Sequence, residues 1–280
     1  MNKNFIITGF ADEIDPMMQK QYPLLKKLGI NHIELRGVNG ENISKLTIEQ
    51  VIDLKKELDE NGFKISAIGS PIGKIKITDP FDEHFENFKK IVEFAKILET
   101  PYIRMFSFYT DTPEADKAEV YARLKQFIDY AKKEGVILLH ENEKHIYGDN
   151  IERTAELMQE LYCDNFKCTF DFANYVQCGC DTLKAYAALK PYIEYIHIKD
   201  SFFEDGRIVP AGMGEGNIQE ILKDVFENGY NGFLSLEPHL FHFKGLDDLE
   251  PEKIAEREMT SGEAAFSVAY NSLMSLIERI

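Results

Sequence analysis

Hydrophobic and polar positions along the 280-residue chain switch repeatedly between two spacings. Short stretches rich in β-branched and aromatic residues form the first kind: Phe5 to Phe10, Asn31 to Leu35, Phe63 to Ile68, Tyr102 to Phe106, Val136 to His140, Phe166 to Phe170, Ile193 to Asp200 and Gly232 to Leu236. Bounded by turn residues, such runs predict strands. Between them apolar residues recur every three or four positions, as in Met18, Tyr22, Leu25 and Leu28, in Val51, Leu54 and Leu58, and in Phe85, Phe88, Val92 and Ala95. That spacing predicts amphipathic helices. Further helices are expected after Thr112-Pro113, an N-cap with a first-turn proline, from Asn150 to Tyr162, from Asp181 to Lys190, after Asn217, and from Ser261 to Ile280. Thr47 with Gln50, and Asn217 with Glu220, have capping-box spacing. Gly29, Gly62, Gly135 and Gly229 each stand between a helix and the next strand, where a left-handed residue ends the helix.

Eight strands alternating with helices predict a parallel sheet. The last four strands share a further property, because each ends on a side chain able to bind a metal. The strand ends read His140-Glu141-Asn142-Glu143, Phe170-Asp171, His197-Ile198-Lys199-Asp200 and Leu236-Glu237-Pro238-His239. An open sheet could hold eight strands, but polar ends gathered on one face fit a closed (β/α)8 TIM barrel, whose active sites lie at the carboxyl ends of the strands. No linker or low-complexity run divides the chain, so residues 1–280 read as a single (β/α)8 domain.

Composition narrows the partners. With 44% hydrophobic and 29% charged residues the chain reads as a globular protein with a sizeable core. Its 48 acidic against 32 basic residues give a formal charge of −16, which repels phosphate backbones and anionic membranes and argues against nucleic-acid and membrane partners. The opening Met1-Asn2-Lys3-Asn4-Phe5-Ile6-Ile7 lacks a signal-length apolar run, and no stretch approaches transmembrane length, so a cytoplasmic location is expected. Four cysteines are too few for a disulfide framework. Cys178-Gly179-Cys180 has no second pair at zinc-site spacing and reads as reduced thiols.

In a barrel the ends of strands five to eight lie along one arc, so Glu141, Asp171, His197 and Glu237 can converge. Three carboxylates within about 5 Å repel by several kcal/mol per pair at an effective dielectric near 20. Raised pKa values or a bound cation must compensate, and with an imidazole in the set one divalent cation is the simpler answer. Three oxygens and one nitrogen suit Mn²⁺ best, with Mg²⁺, Co²⁺ or Zn²⁺ as alternatives. A single strand-end acid usually caps the next helix or pairs with a lysine; the joint pattern points to a metal.

These motifs, together with Phe172-Ala173-Asn174 after Asp171 and the run Pro210-Ala211-Gly212-Met213-Gly214-Glu215-Gly216, resemble the xylose-isomerase-like sugar (phosphate) isomerases and epimerases over nearly the whole chain. The resemblance implies that Glu141, Asp171, His197 and Glu237 are the metal ligands. It also implies that Glu141 and Glu237 are the catalytic acid–base pair, exchanging a proton beside a carbonyl through an enediolate. A sugar, sugar phosphate or polyol ketone would be the substrate. Inosose-type dehydration on the same site, and a non-catalytic ligand-binding barrel, are the alternative readings. Free-ketose 3-epimerases of the family carry His three residues after the Asp ligand and Arg six after the His ligand, where this chain has Asn174 and Phe203. The endonuclease IV branch needs a histidine-rich three-metal site, which seven histidines and the acidic charge do not favour.

Lys199, Asn174, Glu34, Arg104 and His239 complete the candidate substrate-binding set. Lys199 points inward with His197 by strand alternation and can hold a substrate hydroxyl or phosphate, or a neighbouring carboxylate. Glu34 ends strand two and is expected on the pocket wall, or as a buried partner of Arg36 or Arg104. His239 stands two positions beyond Glu237 and can support it from behind. Glu143 and His145 are expected in solvent. The glycine run before Asn217 reads as a tight turn, although a phosphate could sit at the helix start there. Phe106, Phe108 and Tyr109 read as core or as an apolar wall. A homodimer is a further expectation, with Phe241-His242-Phe243 as its candidate contact.

Overall fold

A computed structural model describes residues 4–242, 246 and 259–280. Met1 to Lys3 and Phe243, to which two expectations above refer, lie outside the described residues. The eight expected strands are all present: β1 (Ile6–Gly9), β2 (His32–Leu35), β3 (Lys64–Gly69), β4 (Tyr102–Met105), β5 (Ile137–Glu141), β6 (Phe166–Asp171), β7 (Ile193–Ile198) and β8 (Phe233–Leu236). Seven parallel ladders join them in the order β1-β8-β7-β6-β5-β4-β3-β2. The edge strands β1 and β2 lie side by side without a ladder among the described residues, so the sheet is a nearly closed eight-stranded TIM barrel.

The helices are α1 (Met18–Leu28), α2 (Ile48–Asn61), α3 (Phe81–Ile97), α4 (Pro113–Glu134), α5 (Ile151–Leu161), α6 (Phe172–Gln177), α7 (Thr182–Leu189), α8 (Ile218–Glu227) and α9 (Gly262–Arg279). The Thr47 capping box forms in full, with Gln50 N–H donating to Thr47 Oγ1 and Thr47 N–H to Gln50 Oε1. Gly29, Gly62 and Gly135 end α1, α2 and α4 with φ of 72°, 79° and 75°, as the left-handed cap requires. Two expected caps differ. Asn217 is itself left-handed, at φ 54°, and its side-chain amide donates to Thr182 Oγ1 rather than capping α8. Thr112 directs its hydroxyl forward to Asp116, 2.9 Å away, and leaves the first turn to Pro113.

Two cores result. The larger one lies between the sheet and the helices and holds most of the buried Leu, Ile, Val and Phe residues. A smaller plug of Ala67, Leu139 and Tyr195, packed by Tyr102, Ile137 and Phe233, fills the barrel interior. Beside it a polar layer runs from Thr8 through Ser66 to Tyr195, with oxygen separations of 2.8 and 2.9 Å. The interior is thus packed with side chains up to the carboxyl ends of the strands, and the cluster sits on top of it.

Candidate metal centre

The cluster is built by strand endings. Glu141 and Asp171 are the last residues of β5 and β6, His197 is the last but one of β7, and Glu237 follows β8 directly. Parallel register sets Asp171 beside His197 and His197 beside Ser235. Glu141, Asp171, His197 and Glu237 are all at most 5% exposed, and each offers a donor atom within 4.8 Å of the donors of the others. His197 Nδ1 is the centre of the group, 2.8 Å from Glu141 Oε1, 3.6 Å from Glu237 Oε2 and 3.9 Å from Asp171 Oδ2.

The supports around the cluster divide the work. Asp171 Oδ1 accepts the Asn174 N–H at 2.8 Å and so caps α6, a short helix that starts at the next residue. Its Oδ2 is buried and receives no hydrogen bond; Lys199 Nζ lies 3.2 Å away, out of alignment. The same ammonium is 3.0 Å from Glu237 Oε2. Glu237 Oε1 is 3.3 Å from both Arg36 Nη1 and His239 Nε2. Glu141 Oε2 is 3.3 Å from Arg104 Nε, and Asn174 Nδ2 reaches Glu141 Oε1 at 3.4 Å and Asn142 O at 2.8 Å. On the far side of the imidazole, His197 Nε2 is 3.1 Å from both oxygens of Glu34, which also accepts from Ser235 Oγ.

Burial and charge pull these groups in opposite directions. Burial pushes the Glu141 carboxyl up, but His197 and Arg104 outweigh it and hold the group at about 2. Burial likewise opposes ionisation of Glu237, and Lys199 and His239 bring it well below the usual carboxylate range. For Asp171 burial wins: against the pull of Lys199, and helped by Glu237 and Glu141, the group rises to about 7. His197 would be depressed by burial, yet Glu34 and Glu141 raise it well above an ordinary imidazole. The cluster therefore draws positive charge toward itself from every neighbour.

The donor set passes a simple test for a divalent cation. Two donors bound to one ion at about 2.0–2.2 Å stand at most about 4.4 Å apart, so a 4.8 Å spread needs only small side-chain movements. One buried carboxylate oxygen is left without a hydrogen bond, and the imidazole has its outer nitrogen fixed by a carboxylate, the arrangement that orients metal-bound histidines.

The sequence features shared by the family described as xylose isomerase-like TIM barrel match residues 23–263. The chain belongs to that family. Among relatives of this xylose isomerase-like barrel is a 3-dehydroshikimate dehydratase from Bacillus anthracis, 23% identical over 229 residues that cover 75% of this chain and 81% of the relative. Among solved structures, the IOLI protein with a bound zinc atom superposes with a TM-score of 0.76 at 17% identity, covering 98% of this chain and 99% of the other. A D-tagatose 3-epimerase-like protein gives 0.71 at 14% identity, with 98% and 99% covered. At these identities the structural likenesses establish the fold.

Of the residues proposed from sequence, Lys199, Asn174, Arg104 and His239 all border the pocket above the cluster, with Glu141 and Glu237. Glu34 is the exception. It lies behind His197, off the pocket wall, and its partners are His197 and Ser235 rather than an arginine, because the ring of His197 stands between it and the opening. Glu143, expected in solvent, lines the pocket and pairs with Lys74 at 3.0 Å. His145 is exposed as expected. Phe106 forms part of the pocket wall, while Phe108 is core. The glycine run is a turn around Asp200, whose carboxylate accepts the N–H groups of Gly212, Gly214 and Gly216 at 2.8–3.0 Å, so those donors are already engaged. All four cysteines are free thiols. Asp12, Glu13 and Arg36 were missed. Arg36 bonds Asp12 and Glu13 at 3.0–3.1 Å as well as Glu237, and Glu13 Oε2 accepts the His239 backbone N–H at 2.7 Å. A weaker signal was present, because Asp12 and Glu13 follow the end of β1 within four residues, after Phe10 and Ala11. No described helix is long and apolar enough to cross a membrane.

Proposed function

We propose that this protein is a divalent-metal-dependent isomerase or epimerase of a small polyhydroxylated ketone: a sugar, a sugar phosphate or a related polyol ketone. The observation that carries the reading is the convergence of Glu141, Asp171, His197 and Glu237 within 4.8 Å beside a small pocket that Glu141 and Glu237 line. These four side chains would hold the cation, Mn²⁺ fitting three oxygens and one nitrogen best. When bound, it supplies Lewis acidity to substrate oxygens and so makes the neighbouring C–H bond more acidic.

The chain's own groups do the rest. Glu141 and Glu237 stand on either side of His197 Nδ1, at 2.8 and 3.6 Å, and both are held ionised, so either can accept a proton from a substrate carbon. For inversion the opposite carboxyl must first take a proton from solvent. It then delivers that proton to the other face of the carbon and is left ionised, while the first carboxyl keeps the proton it removed. Return of the removed proton by the same carboxyl to the adjacent carbon, with a proton passed between the two substrate oxygens, moves the carbonyl. A positioned base of this kind contributes about 10²–10⁴-fold. Lys199, already within 3.0 Å of Glu237, is placed to donate to a substrate oxygen.

A second reading is supported by the matched dehydratase relative. The first step is the same, and the proton on Lys199 then goes to a leaving hydroxyl, which departs as water. The two readings separate by mass. With Mn²⁺ present in heavy water, hydroxylated ketones gain deuterium at exchangeable carbon positions under the first and lose one water under the second. In both, Glu141→Gln lowers the rate by at least about 10². Unchanged turnover in that variant removes Glu141 from the chemistry.

A further inference from the structure

The pocket wall above the cluster carries four positive side chains, Lys74, Arg104, Lys144 and Lys199, against Glu141, Glu143 and Glu237, in a chain whose net charge is −16. Three of the four cations have carboxylates beside them. Lys199 lies against Asp171 and Glu237, Arg104 against Glu141 at 3.3 Å, and Lys74 against Glu143 at 3.0 Å. Lys144 differs. Its Nζ is withdrawn from water and has no hydrogen-bond partner among the described residues. The backbone explains how it is held there, since the Lys144 N–H donates to Glu143 Oε1 at 2.9 Å and fixes the loop after β5. Its neighbour Cys178 offers no charge, because burial above all pushes that thiol up to about 12. An ammonium nitrogen withdrawn from water without an acceptor is unfavourable, so the position makes sense when a ligand supplies the acceptor.

Two other places for an anion are closed. The N–H groups of the glycine run are bonded to Asp200, and Arg36 is surrounded by Asp12, Glu13 and Glu237. Counting Asp171, four cations face four carboxylates; a divalent ion held by the cluster would leave positive charge in excess, which a neutral polyol does not need.

We infer that the substrate is an anion, and that its carboxylate or phosphate monoester is held by Lys144, flanked by Lys74, while its oxygenated carbons lie over the Glu141–Glu237 cluster. The inference rests on the reading of the site given above and specifies the substrate class for it. No covalent step is added. Lys144 acts through charge, as a specificity-determining residue away from the reacting carbons.

The test is a set of calorimetric titrations of the full chain, with Mn²⁺ and without it, using quinate as a polyol carboxylate, fructose 6-phosphate as a phosphate monoester and fructose as the neutral control. Omitting Mn²⁺ in one arm keeps direct anion–cation contact from imitating the effect. At least one anion binds tenfold or more tightly than fructose, and which one identifies the anionic group. Lys144→Met weakens that anion about tenfold, Lys144→Arg restores most of the loss, and neither variant changes Mn²⁺ affinity or fructose binding. Equal binding of fructose and both anions, or anion binding indifferent to Lys144→Met, overturns the inference. Mn²⁺ is also titrated alone into the wild type and both variants, and failure of the wild type to bind it would instead count against the proposed function, whatever the anions do.

Discussion

Glu34→Gln is the perturbation that the geometry of the site makes most informative. Glu34 is fully buried, holds His197 Nε2 with both oxygens at 3.1 Å and accepts from Ser235 Oγ. It thereby leaves Nδ1 facing the carboxylates. Glutamine keeps the shape and one acceptor for the imidazole N–H, and its amide can donate to a rotated Ser235 hydroxyl, so the fold is retained. What disappears is the negative charge. Unit charges 3.1 Å apart interact by about 5 kcal/mol at an effective dielectric near 20. An imidazole bound to a cation carries only part of a unit charge on its outer N–H, so a quarter to a half of that value is expected, about 1.4–2.7 kcal/mol. This corresponds to a 10- to 100-fold loss of cation affinity, the range found when such outer partners of metal ligands are removed. Competition between the protein and a chelator for Mn²⁺ or Co²⁺ measures it. Ser235→Ala, which leaves the charge in place, should cost only a few-fold. If Glu34→Gln binds the cation within threefold of wild type, the imidazole is not oriented for a metal by Glu34, and the argument for Nδ1 as a donor fails.

Other consequences can be checked independently. Gly73 has φ 85°, and a Cβ there would lie 2.0 Å from the Phe106 carbonyl oxygen, so Gly73→Ala should destabilise by about 3 kcal/mol and lower the melting temperature by about 6–12 °C; a shift under 2 °C would show that the loop relaxes freely. His84 accepts the Gly73 N–H through Nε2 at 2.8 Å, and burial, assisted by Arg123, lowers it to about 4. The unfolded chain takes up that proton near 6.5 and the folded one only near 4, so wild type should lose stability relative to His84→Gln as pH falls between those values. Denaturant unfolding at pH 7 and pH 5 gives the comparison, and a difference that does not change with pH refutes it. Arg104→Met removes one of the groups holding Glu141 near 2; the acidic limb of any pH–rate profile that follows Glu141 should move to higher pH, and an unmoved limb would separate the two residues.

Much of this architecture was legible because it is periodic. Alternation within β5 to β8 fixes which side chains face inward, and parallel register then sets Asp171 and His197 side by side, so the convergence of the four donors followed from strand ends alone. Glycine at φ 72–79° ended helices where the sequence indicated. What escaped depends on contacts without a period. Lys74 and Lys144 reach the pocket from loops whose path is set by single interactions, such as the bond from Lys144 N–H to its neighbour Glu143. Glu34 ends a strand as the pocket acids do, but the ring of His197 covers it. Asn217 carries a capping signature and adopts a left-handed conformation instead, since its amide is drawn to Thr182 across the space between α7 and α8.

The central claim is that Glu141, Asp171, His197 and Glu237 share one divalent cation. Anomalous diffraction at the manganese edge, from crystals grown with Mn²⁺, tests it most directly. The account predicts one ion per chain, bonded to a carboxylate oxygen of each of the three acids and to His197 Nδ1, and its loss in Asp171→Asn crystals grown the same way. An ion bound elsewhere, or a Lys199 ammonium that still bridges Asp171 and Glu237 at saturating Mn²⁺ with no ion beside it, would contradict it.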